Sequence, residues 1–212
     1  LYGVPAPIDG YLELPESFTY NDEVFTEYTI APNTFAVVNG LKELVIPNSV
    51  TDLAEGVFGG CSSLEKLTVP SMFGKTLYAL FGCEEANDMD TSLEEVYVTN
   101  ETTDIAERAF YNCDSLEVIH IEGTLENVGA YAFAYCDRLE EVILADSIKT
   151  FSTSVFSNSA SLKKVWLPAS LEQLERNIFY YSKNTLVELR TPFLGESRTS
   201  TDNCSLNYLF DN

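Results

Sequence analysis

The chain has 212 residues, 45% of them hydrophobic and 12% aromatic, ample material for a packed core, so it is not a disordered segment. Its 33 acidic residues against 12 basic ones give a net charge of −21, which excludes nucleic acid and anionic lipid as partners: neither gains by releasing counterions to such a surface. No stretch approaches the roughly 18–20 uninterrupted apolar residues of a membrane-spanning helix, so membrane insertion is not expected. The plainest reading of the carboxylates is solubility and resistance to self-association, with a basic or divalent-cation partner as the alternative.

Leu1 to Gly10 lack the basic start and apolar stretch of a secretion signal, and there is no initiator Met. The chain therefore reads as a mature or excised fragment. Residues 12–40 form an irregular opening unit: Leu12, Leu14 and Pro15, then Ile30 and Phe35, with the polar run Tyr20 to Glu27 enlarging a turn. From there a period takes over. Phe35, Phe58 and Phe81 stand 23 residues apart, as do Phe110, Phe133, Phe156 and Phe179, while Phe81 to Phe110 is 29. Leu41, Leu64, Leu93, Leu116, Leu139 and Leu162 repeat the same steps and the same 29-residue gap, followed by Leu186 after 24. Two positions sharing one insertion, placed between Gly82 and Ser92, make a true internal repeat.

Within each unit a Leu-x-x-Val-x-Leu segment alternates with period two, as a short strand with one buried face does. Pro47, Pro70, Pro168 and Pro192 each fall six residues after a leading Leu. Proline has no N–H for the next ladder bond, so it closes the strand there. One unit cannot bury its apolar side alone, but stacked units can, each strand pairing in parallel with the next and each Phe lying over the last. The expectation is a right-handed solenoid of ~23-residue, β-rich coils with a parallel sheet on one face and little helix. It forms one domain over residues 1–212 with about eight coils: an irregular first coil at 12–40, regular coils over 41–185 interrupted by an insertion at 82–92 that breaks the stack, and an irregular last coil at 186–212. Leu206, Leu209 and Phe210 end that coil in a bare apolar pair, so further coils are expected to follow.

Segments such as Leu41-Lys-Glu-Leu-Val-Ile-Pro-Asn-Ser-Val-Thr with Ala-Glu-Gly-Val-Phe-Gly-Gly-Cys, and Ala106-Glu-Arg-Ala-Phe-Tyr-Asn-Cys-Asp-Ser-Leu, resemble the BspA-type leucine-rich repeat. The resemblance spans nearly the whole chain, fading before Tyr28 and after Pro192; Ser159 and Ser182 stand where the repeat usually has cysteine. It implies a leucine-rich repeat solenoid displayed extracellularly or on a cell surface, mostly in bacteria, with some relatives adhering to host matrix proteins.

Four constellations bear on function. Cys61, Cys113 and Cys136 share one repeat position, three residues after the phenylalanine. They form either a buried ladder of thiols or disulfides between coils, and serine at the same position in two units favours the ladder. Cys83 and Cys204 lie in irregular units and are expected nearer the surface. Without a C-x-x-C pair there is no zinc signature. His120, the single histidine, points outward between Ile119 and Ile121, with no nucleophile motif beside it. No cofactor is implied.

The outward position of His120 recurs along the sheet as Val45, Thr68, Tyr97, His120, Ile143, Trp166 and Arg190. Tyr97, His120, Ile143, Trp166 and Arg190 would form a contiguous stripe rimmed by Glu95, Glu141, Lys164 and Glu188, with the composition of a protein-binding surface. Strand propensity alone also accounts for these residue types. The acidic run Glu84 to Asp90 offers Asp88 and Asp90 as a candidate Ca²⁺ site, without the spacing or glycine of an EF-hand loop; a solvated loop is the other reading. The function expected is a non-enzymatic adhesion or protein-binding module, its ligand a protein such as a host extracellular-matrix or surface protein. A passive spacer carrying another domain is the alternative.

Overall fold

The computed structural model describes residues 9–36, 38, 40–101, 103–182, 185–200 and 205–210; Cys204 lies outside them. The strands are Tyr11–Glu13 (β1), Phe18–Tyr20 (β2), Glu23–Phe25 (β3), Tyr28–Ile30 (β4), Glu43–Val45 (β5), Val50–Leu53 (β6), Lys66–Val69 (β7) and Glu95–Glu101 (β8). They continue as Val118–Gly123 (β9), Asn127–Val128 (β10), Glu141–Leu144 (β11), Thr150–Phe151 (β12), Lys164–Trp166 (β13), Gln173–Leu174 (β14) and Glu188–Arg190 (β15). Two short helices, Leu77–Leu80 (α1) and Leu206–Phe210 (α2), complete the elements with a 3-10 turn at Ala86–Asp88.

The leading segment of each unit supplies one strand to an eight-stranded parallel sheet, in the order β1-β5-β7-β8-β9-β11-β13-β15. Alternation sets its two faces: in β9, Ile119 and Ile121 are buried while Val118 and His120 are half-exposed. Proline closes some strands early, although β11 stops at four residues without one. The strands with proline just beyond them stop at three or four residues, whereas β8 and β9, with none, run to seven and six.

The second register of the repeat closes each coil. Stacked Phe rings run at centroid distances of 5.5 Å from Phe110 to Phe133, 5.3 Å to Phe156 and 5.5 Å to Phe179, with interplanar angles of 7–13°. An earlier run joins Phe35 to Phe58 at 6.0 Å and Phe58 to Phe81 at 5.6 Å. All these rings are buried, within one apolar core that extends from Leu12 to Leu209. Flanking the rings, the backbone turns through left-handed residues two before and two after the Phe: Gly56 and Gly60, Tyr131 and Tyr135, Ser154 and Asn158, Asn177 and Tyr181.

The position three residues after the Phe forms a hydrogen-bonded ladder. Cys136 Sγ donates to the Phe110 carbonyl at 3.0 Å, Ser159 Oγ to that of Phe133 at 2.9 Å, and Ser182 Oγ to that of Phe156 at 2.7 Å. Cys61 reaches the Phe35 carbonyl at 3.9 Å. Cys113 departs from the pattern and faces Tyr111 O at 3.7 Å, because the insertion displaces the coil before it. Cys61, Cys83, Cys113 and Cys136 are free thiols.

Three expectations need correction. The polar run Tyr20 to Glu27 does more than enlarge a turn: β2 and β3 pair as an antiparallel hairpin around Asn21 and Asp22, both left-handed as a two-residue hairpin turn requires. The insertion at 82–92 does not break the main sheet, since β7 and β8 pair in continuous register from Lys66↔Glu95 to Val69↔Val98. It interrupts the phenylalanine column, and the coil before it interrupts the second-strand register. In the coil that begins at Leu64, Lys75 and Thr76 stand at the second-strand position but form no strand and lead into helix α1, capped by Thr76, so the small sheets β4-β6 and β10-β12-β14 are separate. Among the described residues no ring contact joins Phe81 to Phe110. Finally, Leu209 and Phe210 are not a bare pair. Leu209 is fully buried, its carbonyl accepts from Phe179 N at 2.8 Å, and Phe210 extends the ring stack at 5.4 Å from Phe179.

Candidate binding face

Parallel pairing without slippage places equivalent outward residues of successive coils side by side. The register runs Val45↔Thr68, Thr68↔Tyr97, Tyr97↔His120 and His120↔Ile143, and resumes at Trp166↔Arg190. β11 and β13 are joined at Val142↔Val165, directly before Ile143 and Trp166. All five residues singled out from the sequence thus occupy one row of one sheet face.

Their surroundings differ along the row. Tyr97 and His120 meet at 6.0 Å between ring centroids. The Tyr97 hydroxyl donates to Glu95 Oε2 at 3.1 Å, and Lys66 Nζ lies 5.0 Å from the ring. Burial, and then the Glu95 carboxylate, push the Tyr97 phenol above its ordinary range. His120 Nε2 lies 3.3 Å from Glu122. At the other end Arg190 places its guanidinium 4.5 Å from the Trp166 ring centroid and bonds Glu188 from Nε at 2.8 Å. Between these ends Ile143 and Trp166 remain 41% and 53% exposed, large apolar groups left uncovered on the sheet. They sit in an open concavity of about 490 Å³ shared with His120, Glu122, Glu141 and Lys164.

Ion pairs knit the rim from coil to coil. Lys42 meets Glu65 at 2.6 Å, Lys66 lies between Glu43 and Glu95, Lys163 meets Glu140 at 2.6 Å, and Arg138 meets Glu117. Each is well exposed, so each adds at most about 1 kcal/mol. Asp88 and Asp90 belong to no group of three or more His, Cys, Asp or Glu side chains near enough to hold a metal ion, among the described residues.

Sequence periodicity missed one buried group. Glu101, 1% exposed, accepts hydrogen bonds from Ser71 Oγ, Met72 N, Thr103 N and Thr103 Oγ1 at 2.7–3.1 Å. It sits where the β8–β9 register shifts between Val98 and Glu101, outside the repeat consensus. Its only sequence signal is a carboxylate at the end of a strand that no proline closes.

The BspA type Leucine rich repeat region matches residues 16–92 and 89–197, in six copies. The chain belongs to the BspA-type leucine-rich repeat family. Two solved structures share the BspA-type chain's fold. A leucine-rich cell surface protein from Faecalibacterium prausnitzii is 19% identical with a TM-score of 0.51, covering 92% of this chain and 50% of its own. A leucine-rich repeat protein from Eubacterium ventriosum is 18% identical with a TM-score of 0.61, covering 94% and 48%. This BspA-type chain therefore spans about half the length of those proteins. No curated protein sequence matches it. Among the described residues, no helix is long and apolar enough to cross a membrane.

Proposed function

We propose that this chain is a non-enzymatic protein-binding or adhesion module displayed at a cell surface, engaging its partner through the outward face of the parallel sheet. Leucine-rich repeat proteins generally bind proteins, and the family is one of bacterial surface proteins, which supports the reading at that coarse level. The observation that carries it further is the exposure of Trp166 and Ile143 side by side in a concavity of the sheet face. Exposed aromatic and branched side chains at the centre of a patch with a charged rim are the usual anchors of protein interfaces. His120 has a glutamate and a tyrosine around it rather than a nucleophile, an arrangement that gives a catalytic reading no support.

The passive-spacer reading draws on a different observation: Tyr97 and Arg190 are already engaged by Glu95 and Glu188 within the chain. The two are separated by capture from solubilised host extracellular matrix with wild type and the Tyr97→Ala/Trp166→Ala variant. Selective capture by wild type, lost in the variant, supports the binding module. Equal capture would place recognition off the sheet face and contradict this reading, while capture by neither form favours the spacer.

A further inference from the structure

On the reading of the sheet face as a protein-binding surface, we propose that the concavity between β9 and β13 accepts an arginine side chain carried on an extended, cationic segment of the partner. The floor is apolar, formed by Ile143 and the uncovered part of Trp166. The walls bring three carboxylates, Glu122, Glu141 and Asp146, against one ammonium, Lys164. Elsewhere on the sheet the cations are consumed by ion pairs between coils. Here they are not: among the described residues, Glu141 and Asp146 pair with no cation, Glu122 has only the His120 imidazole beside it at 3.3 Å, and Lys164 pairs with no carboxylate. The concavity thus carries an uncompensated negative charge above an exposed indole, and the chain's overall charge of −21 repels any anionic occupant.

A guanidinium suits both features at once. Its plane stacks on an aromatic ring, and its fork of N–H donors matches a carboxylate in two bonds, which a compact ammonium cannot do. The same trio already exists within this chain one strand away, where Arg190 stacks over Trp166 and bonds Glu188. The partner's arginine would repeat that arrangement on the concavity side of the indole, with Glu141 and Glu122 in the place of Glu188. Apolar neighbours of the arginine on the partner would cover Ile143.

The test uses the intact chain and its single tryptophan, Trp166, as the reporter. Its fluorescence is titrated with a blocked hexapeptide alternating arginine and valine, and with matched peptides carrying citrulline or glutamate in place of arginine. The proposal expects a saturable response to the arginine peptide, binding about ten-fold weaker for citrulline, and none for glutamate. Glu122→Gln/Glu141→Gln/Asp146→Asn should weaken binding by about ten-fold or more, and Lys164→Ala should strengthen it. A control neutralising three carboxylates on other surfaces, Glu55→Gln/Glu84→Gln/Glu107→Gln, should leave it unchanged. No saturable response, equal binding of the citrulline peptide, or equal loss in the control variant would overturn the proposal. The matrix-capture experiment with Tyr97→Ala/Trp166→Ala does not depend on the charge of a chosen peptide, so the broader reading can survive failure here.

Discussion

Cys136 Sγ donates to the main-chain carbonyl of Phe110 at 3.0 Å, reaching one coil back to a group that no strand satisfies. Ser159 and Ser182 make the same contact one and two coils further on. The position therefore needs a small donor rather than a sulfur. Cys136→Ser should be tolerated within about 1 kcal/mol, whereas Ser182→Ala leaves the Phe156 carbonyl unpaired in the core and should cost about 1–3 kcal/mol. Urea unfolding of the two variants checks the contrast.

Ring stacking predicts a second asymmetry. Phe133 is stacked on both sides, against Phe110 and Phe156, while among the described residues Phe81 has a ring neighbour only in Phe58. Phe133→Ala should cost about 3–5 kcal/mol, and Phe81→Ala measurably less. Equal losses in chemical denaturation would show that the ring column contributes nothing beyond burial.

Glu101 tests whether the non-repeating part of the chain is held as firmly as the coils. Replacing its buried carboxylate by glutamine sets an amide N–H₂ against donors that need an acceptor, and Glu101→Gln should cost about 1.5–3 kcal/mol in a melting experiment. Gly123→Ala should be harmful at the same place. A Cβ there would lie 1.9 Å from the Glu101 carbonyl oxygen, and the residue's φ of +127° suits glycine.

The buried thiols make stability fall in alkali. Burial pushes the Cys61 thiol up to about 11, while in the unfolded chain a thiol ionises near ~8.5. Above the lower value the unfolded chain releases a proton that the fold retains, so stability drops from pH ~8.5 until the folded thiol itself ionises near 11. Cys61→Ser lacks this linkage. The gap in melting temperature between wild type and Cys61→Ser should shift against wild type as the pH rises from about 7.5 to about 10.

The repeat made most of the fold legible, because a period shared by Leu and Phe leaves only one way to bury both. The row Tyr97, His120, Ile143, Trp166 and Arg190 was legible for the same reason: fixed register turns sequence spacing into spatial adjacency. What the period could not convey lies where it lapses. The β2–β3 hairpin depends on two left-handed residues, Asn21 and Asp22, in a run that reads as merely polar. Helix α1 depends on a cap at Thr76 within an otherwise coil-like unit. The left-handed corners at Tyr131, Tyr135 and Tyr181 are occupied by residues that seldom adopt that conformation, so composition gives no hint of them. Side-chain pairing was also hidden: spacing shows that Arg190 is near Trp166, but not that its guanidinium stacks there while Ile143 stays bare.

The account turns on whether the sheet face, and not the surface in general, carries recognition. The most direct measurement compares capture of matrix proteins by three forms: wild type, Tyr97→Ala/Trp166→Ala on the sheet, and Tyr111→Ala/Tyr135→Ala on the turn flank, where those two rings meet at 5.3 Å. Loss of binding in the sheet variant alone is the predicted result; loss in the flank variant with the sheet variant intact would contradict it.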